Sequence, residues 1–307
     1  MKVFLCEPIH QKAYRQLIEN YEVIHSYDKI QECQVIISRN LKINQSFIEQ
    51  CPLLELVVIH GTGYDDVDVE YLKSKHIHLC NTPGLNALSV AELIVTFVLQ
   101  LSRQTSCLQK NYLANKIQTV APIEYLGHEI SHKTFGLIGT GQIALKAAQI
   151  LHDGFHMNII AYSRSLTPSR AKELGIVYCQ SMEEVFEKAD YISIGTSLNQ
   201  ETYHMIDAKL FSLMKPTAYL INTARGAIVN ENDLYEYLKE KKIAGAALDV
   251  LEFEPVKYTH PLLSLDNVVY TPHIGGSTDE ALLRVGNAVV QSIHMYNRGE
   301  LWEDLLF

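Results

Sequence analysis

The chain is expected to be an α/β protein built from two doubly wound parallel-sheet domains, one inserted into the other. Three observations carry this expectation. Apolar runs of strand length alternate with amphipathic runs of helical period from the first residues onward, and short βα connections imply parallel sheets covered by helices. The alternation breaks once, at a long and mainly apolar stretch over residues 89–110, and restarts at residue 135. A glycine-rich turn, Gly139-Thr140-Gly141, directly follows the restarting strand.

Taken in order, residues 2–6 read as a strand and 11–20 as a helix with Tyr14, Leu17 and Ile18 on one side. Residues 21–25, 34–38, 54–60 and 76–80 are further strands, with helices at 43–50 and 68–75. Residues 89–110 contain no Gly or Pro and form one long helix, with Ser89 as N-cap and Glu92 three residues on. A helix of that length connects domains or buries an apolar face in a second subunit. A looser stretch follows to residue 133.

The second series runs strand 135–138, helix 142–151 and strand 158–162. Pro168 after Thr167 marks a helix start, and Ser181 with Glu184 a capping box. Strands at 191–195, 218–222, 245–250 and 267–270 enclose helices at 207–214 and 232–241. Gly275-Gly276-Ser277 opens a last helix to about residue 296. The boundaries that follow are residues 1–88 plus 277–307 for one domain and 89–276 for the other.

Composition excludes several classes. With 47% hydrophobic and 20% charged residues in 307, the chain can bury two cores and does not resemble a disordered one. A net charge of −9 without a Lys/Arg cluster argues against nucleic-acid binding. The six cysteines are scattered without a CxxC pair, so reduced thiols are expected, with no disulfide and no metal. The start, MKVFLCEPIHQ, is too short in apolar residues for a signal peptide, and no run approaches a membrane span. A cytoplasmic protein is the expectation.

The turn after strand 135–138 continues Gly139-Thr140-Gly141-Gln142-Ile143-Ala144, a G-x-G-x-x-A fingerprint of the Rossmann dinucleotide-binding fold. Gly139 permits the tight turn, Gly141 lets the backbone approach a pyrophosphate, and Ala144 allows close helix–strand packing. The helix N-terminus at Gln142 and Ile143 offers unpaired N–H groups to the anion. About 20 residues on, a carboxylate would accept from a ribose 2′-OH. This chain has Ser163 and Arg164 there instead. A hydroxyl and a guanidinium suit a 2′-phosphate, so NADP(H) is favoured over NAD(H). The plainer reading leaves Arg164 stacked or solvated, with NAD(H) still accepted.

Further motifs follow in order: Asn222-Thr223-Ala224-Arg225-Gly226, Ala247-Leu248-Asp249-Val250, Phe253-Glu254-Pro255, His260-Pro261-Leu262-Leu263 and Thr271-Pro272-His273-Ile274-Gly275-Gly276-Ser277. Upstream stand His60-Gly61-Thr62-Gly63-Tyr64-Asp65 and Asn81-Thr82-Pro83-Gly84. Singly, an Arg at a strand end, a Glu before Pro and a His after Pro are ordinary surface residues. As an ordered series over nearly the whole chain they closely resemble the D-isomer-specific 2-hydroxyacid dehydrogenases.

The resemblance implies hydride transfer between NAD(P)H and the C2 carbonyl of a small 2-oxo acid, giving a D-2-hydroxy acid. The substrate domain would be flavodoxin-like. His273 would donate the proton, and its neutral-range chemistry suits the task. Glu254 would orient the imidazole and favour its charged form. Arg225 would hold the carboxylate and polarise the carbonyl. Backbone N–H groups of Thr62 and Gly63 would bind the same carboxylate. Asp249 would contact the nicotinamide carboxamide or modulate the site, and Thr196 and Thr223 would lie near the cofactor. Arg39 reads first as a solvated side chain.

Two departures bear on specificity. Relatives that use NAD usually carry an acid where Ser163 stands, and residues 115–132 lack a Trp common among relatives. Glu254 in place of Gln speaks against formate oxidation. A glyoxylate- or hydroxypyruvate-like substrate and a homodimer formed through the helix near 89–110 are expected. The competing reading is a dinucleotide-sensing corepressor on the same fold. A phosphonate or amino acid dehydrogenase also stays open.

Overall fold

The computed structural model describes residues 1–300 and 304–307. The chain forms two compact units, Met1–Ser89 with Gly276–Phe307, and Val90–Gly275.

The first unit carries a five-stranded sheet of β1 (Lys2–Leu5), β2 (Glu22–Ile24), β3 (Val35–Ser38), β4 (Leu56–Ile59) and β5 (His78–Cys80). The order is β2-β1-β3-β4-β5 and every pairing is parallel. Strand alternation divides the core. Phe4, Ile36, Val57 and Leu79 face one layer, with Leu72 of α3 (Val69–Ser74). Val3, Leu5, Val35, Ile37, Leu56 and Val58 face the other. There, Ala13 and Leu17 of α1 (Gln11–Asn20) meet Val285, Val289 and Ile293 of α11 (Asp279–Asn297). The expected helix at 43–50 shrinks to α2 (Gln45–Ile48), started by Asn44, whose side chain accepts from Phe47 N–H at 3.0 Å.

The second unit carries seven parallel strands: β6 (Thr134–Ile138), β7 (Asn158–Tyr162), β8 (Val177–Tyr178), β9 (Tyr191–Ile194), β10 (Tyr219–Asn222), β11 (Gly245–Leu248) and β12 (Val268–Tyr270). Their order is β12-β11-β10-β9-β6-β7-β8, so the winding reverses between β6 and β9. Crevices at such reversals, beyond the carboxyl ends of the strands, are where ligands bind in open α/β sheets. One sheet face packs on α8 (Met182–Lys188), α9 (Ala208–Phe211) and α10 (Glu231–Lys239) through Phe186, Phe211, Leu234 and Leu238. The other takes α6 (Gln142–Phe155), whose Ala147, Ala148 and Leu151 are buried, and α7 (Pro168–Glu173). The two-residue β8 had no signal of its own in the sequence.

The stretch at 89–110 differs from expectation in two ways. It is two helices, α4 (Ala87–Arg103) and α5 (Thr105–Leu113), because Gln104 takes a left-handed φ of 52°. The apolar repeat that drives α4 ends at Leu101, and Ser102 Oγ turns back to donate to Leu99 C=O at 2.9 Å. Ser89 is not the N-cap, since α4 begins at Ala87; its hydroxyl instead hydrogen-bonds Thr278 Oγ1 at 2.7 Å. Ala91, Ile94, Phe97, Val98 and Leu101 lie in the core of the second unit. No helix among the described residues is long and apolar enough to cross a membrane.

Candidate active site

Every residue expected at the site in the second unit lies just beyond the carboxyl end of a strand, on the loop that leaves it or, for Gln142 and Ile143, in the first turn of α6. Gly139, Gly141, Gln142 and Ile143 follow β6; Ser163 and Arg164 follow β7; Thr196 follows β9. Thr223 and Arg225 follow β10, Asp249 and Glu254 follow β11, and His273 follows β12. The parallel sheet therefore gathers residues spread over more than a hundred positions onto one edge.

The glycine turn fits a pyrophosphate. Gly139 has φ 99°, and a Cβ there would fall 2.5 Å from Gly195 C=O, so only glycine closes this turn. A Cβ on Gly141 would meet nothing nearer than 4.0 Å, which leaves the approach to the α6 N-terminus open. Gly141 caps α6 without a side-chain hydrogen bond, leaving first-turn N–H groups available for an anion. Ser163 is half-buried and Arg164 exposed, with the guanidinium paired to Glu201.

His273 and Glu254 are in contact: imidazole Nδ1 lies 2.7 Å from Glu254 Oε2. A carboxylate only accepts, so Nδ1 carries the hydrogen and Nε2 is the nitrogen left for chemistry. The other Glu254 oxygen accepts from Leu251 N–H at 3.1 Å, fixing the carboxylate in its own loop. That loop is held from behind. Glu231 accepts from Glu252 N–H at 2.6 Å and meets His260 Nε2 at 3.2 Å. The Glu252 carboxylate takes Tyr203 OH at 3.0 Å and His204 Nε2 at 3.1 Å. Burial raises the Glu231 carboxyl above its ordinary range, against the opposing hydrogen bonds from Glu252 and His260.

Arg225 rides on a turn set by Asn222, which is 1% exposed. Asn222 accepts from Ala224 N–H at 3.0 Å and donates to Arg225 C=O at 2.9 Å. Gly226 then presses on the Glu254 loop so closely that a Cβ would lie 1.9 Å from the Leu251 carbonyl carbon. The loops bearing Arg225 and Glu254 are thus locked together.

Asp249 is 1% exposed, and its carboxylate is engaged by the turn that carries His273. Oδ1 accepts from Thr271 Oγ1 at 2.6 Å and Ile274 N–H at 2.8 Å; Oδ2 accepts from Gly275 N–H at 2.8 Å. Its C=O also takes His273 N–H at 2.8 Å. These bonds hold His273 in a left-handed conformation, φ 52°, that a side-chain-bearing residue resists. Thr196 and Thr223 are half-buried beside their strand ends. In the sequence Asn222 stands out only as part of its motif, and Glu231 and Glu201 do not stand out at all. An Asn opening a turn was a usable signal, whereas the two glutamates act across loops and had none.

In the first unit, Thr62 and Gly63 follow β4. Asn81 Nδ2 donates to Thr62 C=O at 2.7 Å, and Thr82 N–H to Gly61 C=O at 2.8 Å. The N–H groups of Thr62 and Gly63 have no acceptor among the described residues. The preceding His60 is 5% exposed, with Nε2 unpartnered among the described residues. Burial, and then the Arg39 charge, push its pKa down to about 4, so the ring is neutral. Arg39 is not simply solvated: its guanidinium donates to Ser277 Oγ at 2.7 Å and its N–H to Glu7 at 3.0 Å. All six thiols are free, and no metal-ligand cluster occurs among the described residues.

Residues 95–275 match the family "D-isomer specific 2-hydroxyacid dehydrogenase, NAD binding domain". The chain is 33% identical to a glyoxylate reductase of Thermococcus litoralis, over 99% of this chain and 96% of that protein. It is 34% identical to a D-3-phosphoglycerate dehydrogenase of Methanocaldococcus jannaschii, over the whole chain but only 59% of that protein's length. The crystal structure of Aquifex aeolicus D-lactate dehydrogenase, complexed with NAD and lactic acid, superposes with a TM-score of 0.86. That structure is 28% identical, and the match covers 98% of this chain and 96% of the other.

Proposed function

Because the chain belongs to the D-isomer specific 2-hydroxyacid dehydrogenase family, we propose that it reduces a small 2-oxo acid to the D-2-hydroxy acid, with His273 as proton donor. The observation that carries this reading is the 2.7 Å contact of His273 with Glu254 on the strand edge that also bears the glycine turn. A dinucleotide held by its pyrophosphate at that turn would supply hydride from its reduced nicotinamide to the carbonyl carbon. The residues do the rest. His273 Nε2 delivers a proton to the carbonyl oxygen as negative charge develops there. Glu254 holds the ring in the tautomer and orientation this requires. Arg225 binds the substrate carboxylate and orients the carbonyl. In the first unit, the N–H groups of Thr62 and Gly63, which have no acceptor among the described residues, are donors suited to a carboxylate, the local attraction that an acidic chain needs.

Gly139, Gly141, Gln142, Ile143, Ser163, Arg164, Thr196 and Thr223 form the dinucleotide site in this reading. NADP(H) is preferred, supported by Ser163 and Arg164 in place of an acid after β7. A two-carbon or three-carbon substrate of the glyoxylate or hydroxypyruvate type is favoured, supported by the similarity to glyoxylate reductases. Two copies of the chain pair through the segment after α4, where Tyr112, Leu113, Val120, Ile123 and Leu126 are each at least 64% exposed. Sedimentation of the chain as a monomer would remove that pairing.

The deciding experiment follows loss of NADPH or NADH absorbance with glyoxylate, hydroxypyruvate, pyruvate and bulkier 2-oxo acids. Turnover of a short 2-oxo acid, faster with NADPH, is expected. Tight dinucleotide binding without turnover of any of them overturns the enzyme reading and favours a dinucleotide sensor.

A further inference from the structure

The loop after β7 lacks the carboxylate that would accept from an adenosine ribose, yet a carboxylate stands beside it. Arg164 Nη1 donates to Glu201 Oε2. Arg164 leaves the end of β7 and Glu201 the loop after β9. Between those strands lies β6, whose carboxyl end opens into the glycine turn. The ion pair therefore joins loops on the two sides of β6, whose carboxyl end carries the turn read above as the pyrophosphate site.

The loop bearing Glu201 is fixed. Asn199 Oδ1 accepts from the N–H groups of Glu201 and Thr202, at 2.9 and 3.1 Å. Thr202 Oγ1 donates to Ser197 C=O at 2.8 Å, and Thr202 is 5% exposed. The side chains are not fixed: those of Arg164 and Glu201 are 66% and 75% exposed. Ion pairs so exposed contribute little and exchange readily.

We propose that Glu201 limits the NADP(H) preference set by Ser163 and Arg164, an inference that rests on the dinucleotide site proposed above. Glu201 supplies the acceptor for a ribose 2′-OH that β7 does not. Arg164 supplies the cation for a 2′-phosphate. The two ligands make opposite demands on the pair. A 2′-OH leaves the ion pair standing and adds one charge-assisted hydrogen bond. A 2′-phosphate takes Arg164 away from Glu201 and meets a like charge. Glu201 thus disfavours NADPH and favours NADH, against the direction set by Ser163 and Arg164.

The test is the dissociation constant of NADPH and of NADH, read from reduced-nicotinamide fluorescence on the full chain. Wild type is compared with Glu201→Gln and Arg164→Gln. Glu201→Gln is expected to weaken NADH about fivefold and to leave NADPH unchanged or tighter, the effect of one exposed charge-assisted bond. Arg164→Gln is expected to move the ratio the other way. A Glu201→Gln ratio equal to wild type, or displaced toward NADH, overturns the proposal while leaving the dinucleotide site intact. A wild-type chain that binds neither dinucleotide overturns the site itself.

Discussion

Replacing Asp249 by Asn changes one atom type at a buried position, and the structure sets what that costs. Three donors converge on the carboxylate: Thr271 Oγ1, Ile274 N–H and Gly275 N–H. An amide has one oxygen. If that oxygen takes the Oδ1 position, the NH2 group faces Gly275 N–H; if flipped, it faces Ile274 N–H. The Thr271 hydroxyl can rotate and become the acceptor, but a backbone N–H cannot. Either way one buried amide loses its partner, about 1–3 kcal/mol, and the remaining bonds lose charge assistance, about 1 kcal/mol. His273 also loses part of what holds its left-handed backbone. Asp249→Asn should therefore unfold about 2–4 kcal/mol more easily in urea. It should lose at least about tenfold in kcat/KM as His273 relaxes, since 1.4 kcal/mol is a factor of ten. Dinucleotide affinity should stay within about twofold, because the carboxylate serves the 271–275 turn. Wild-type stability combined with a large loss of NADPH or NADH affinity would refute this account and return Asp249 to the nicotinamide carboxamide.

Four other outcomes are expected. His273→Ala should abolish most turnover in the absorbance assay while its NADPH dissociation constant stays near wild type; a large loss of affinity contradicts the proton-donor role. Glu254→Gln should lower kcat about ten- to hundredfold, at or below the roughly hundred- to ten-thousandfold contribution of an acid–base residue itself, with dinucleotide binding retained; unchanged kcat removes Glu254 from the reaction. Gly226→Ala should be recovered mostly unfolded or with a sharply lowered melting temperature, because its Cβ meets the Leu251 carbonyl carbon at 1.9 Å; a wild-type melting curve would show that the loop yields. His60 makes stability pH-dependent. Above pH 6.5 it is neutral in both folded and unfolded chains. As pH falls from 6.5 toward its folded value of about 4, the unfolded chain takes up a proton that the folded chain refuses, so stability is lost. The loss approaches about 3 kcal/mol, and His60→Gln should lose correspondingly less between pH 7 and pH 4 in urea titrations. Parallel pH profiles for the two proteins exclude His60 as a cause.

What the sequence made legible was whatever is local in cause. The second strand of the Rossmann series, β7, has the bounds its apolar run predicts, and Thr167-Pro168 starts α7 as its cap chemistry requires. The glycine fingerprint names its own turn, since the demand on Gly139 comes from backbone lying just beyond it. Element ends were less legible where a side chain competes with the backbone. Ser89 has the chemistry of an N-cap but spends its hydroxyl on Thr278, nearly two hundred residues away. The 89–110 stretch has helical composition throughout, yet Gln104 breaks it after the apolar stripe ends, and composition alone does not mark that point.

The proposed catalytic group divides along the same line, and the division explains why ordered motifs carry more than any single residue. Arg225, Glu254 and His273 were each weak signals because each sits on a separate loop. What makes them a group is the set of contacts between loops: Gly226 against Leu251, Glu231 on the Glu252 amide, and Asp249 across the His273 turn. None of these is local, so none has a signature at fixed spacing. A parallel sheet, however, delivers successive strand ends to one edge in an order fixed by its winding. Motifs that recur in a set chain order are therefore the sequence image of neighbouring loops. The Glu201–Arg164 pair shows where this image fails. Its partners follow strands separated by β6, and Glu201 lies outside the ordered motifs that mark the other loops. The residues after β7 alone offer the proposed ribose site a cation, whereas the folded edge pairs that cation with a competing anion.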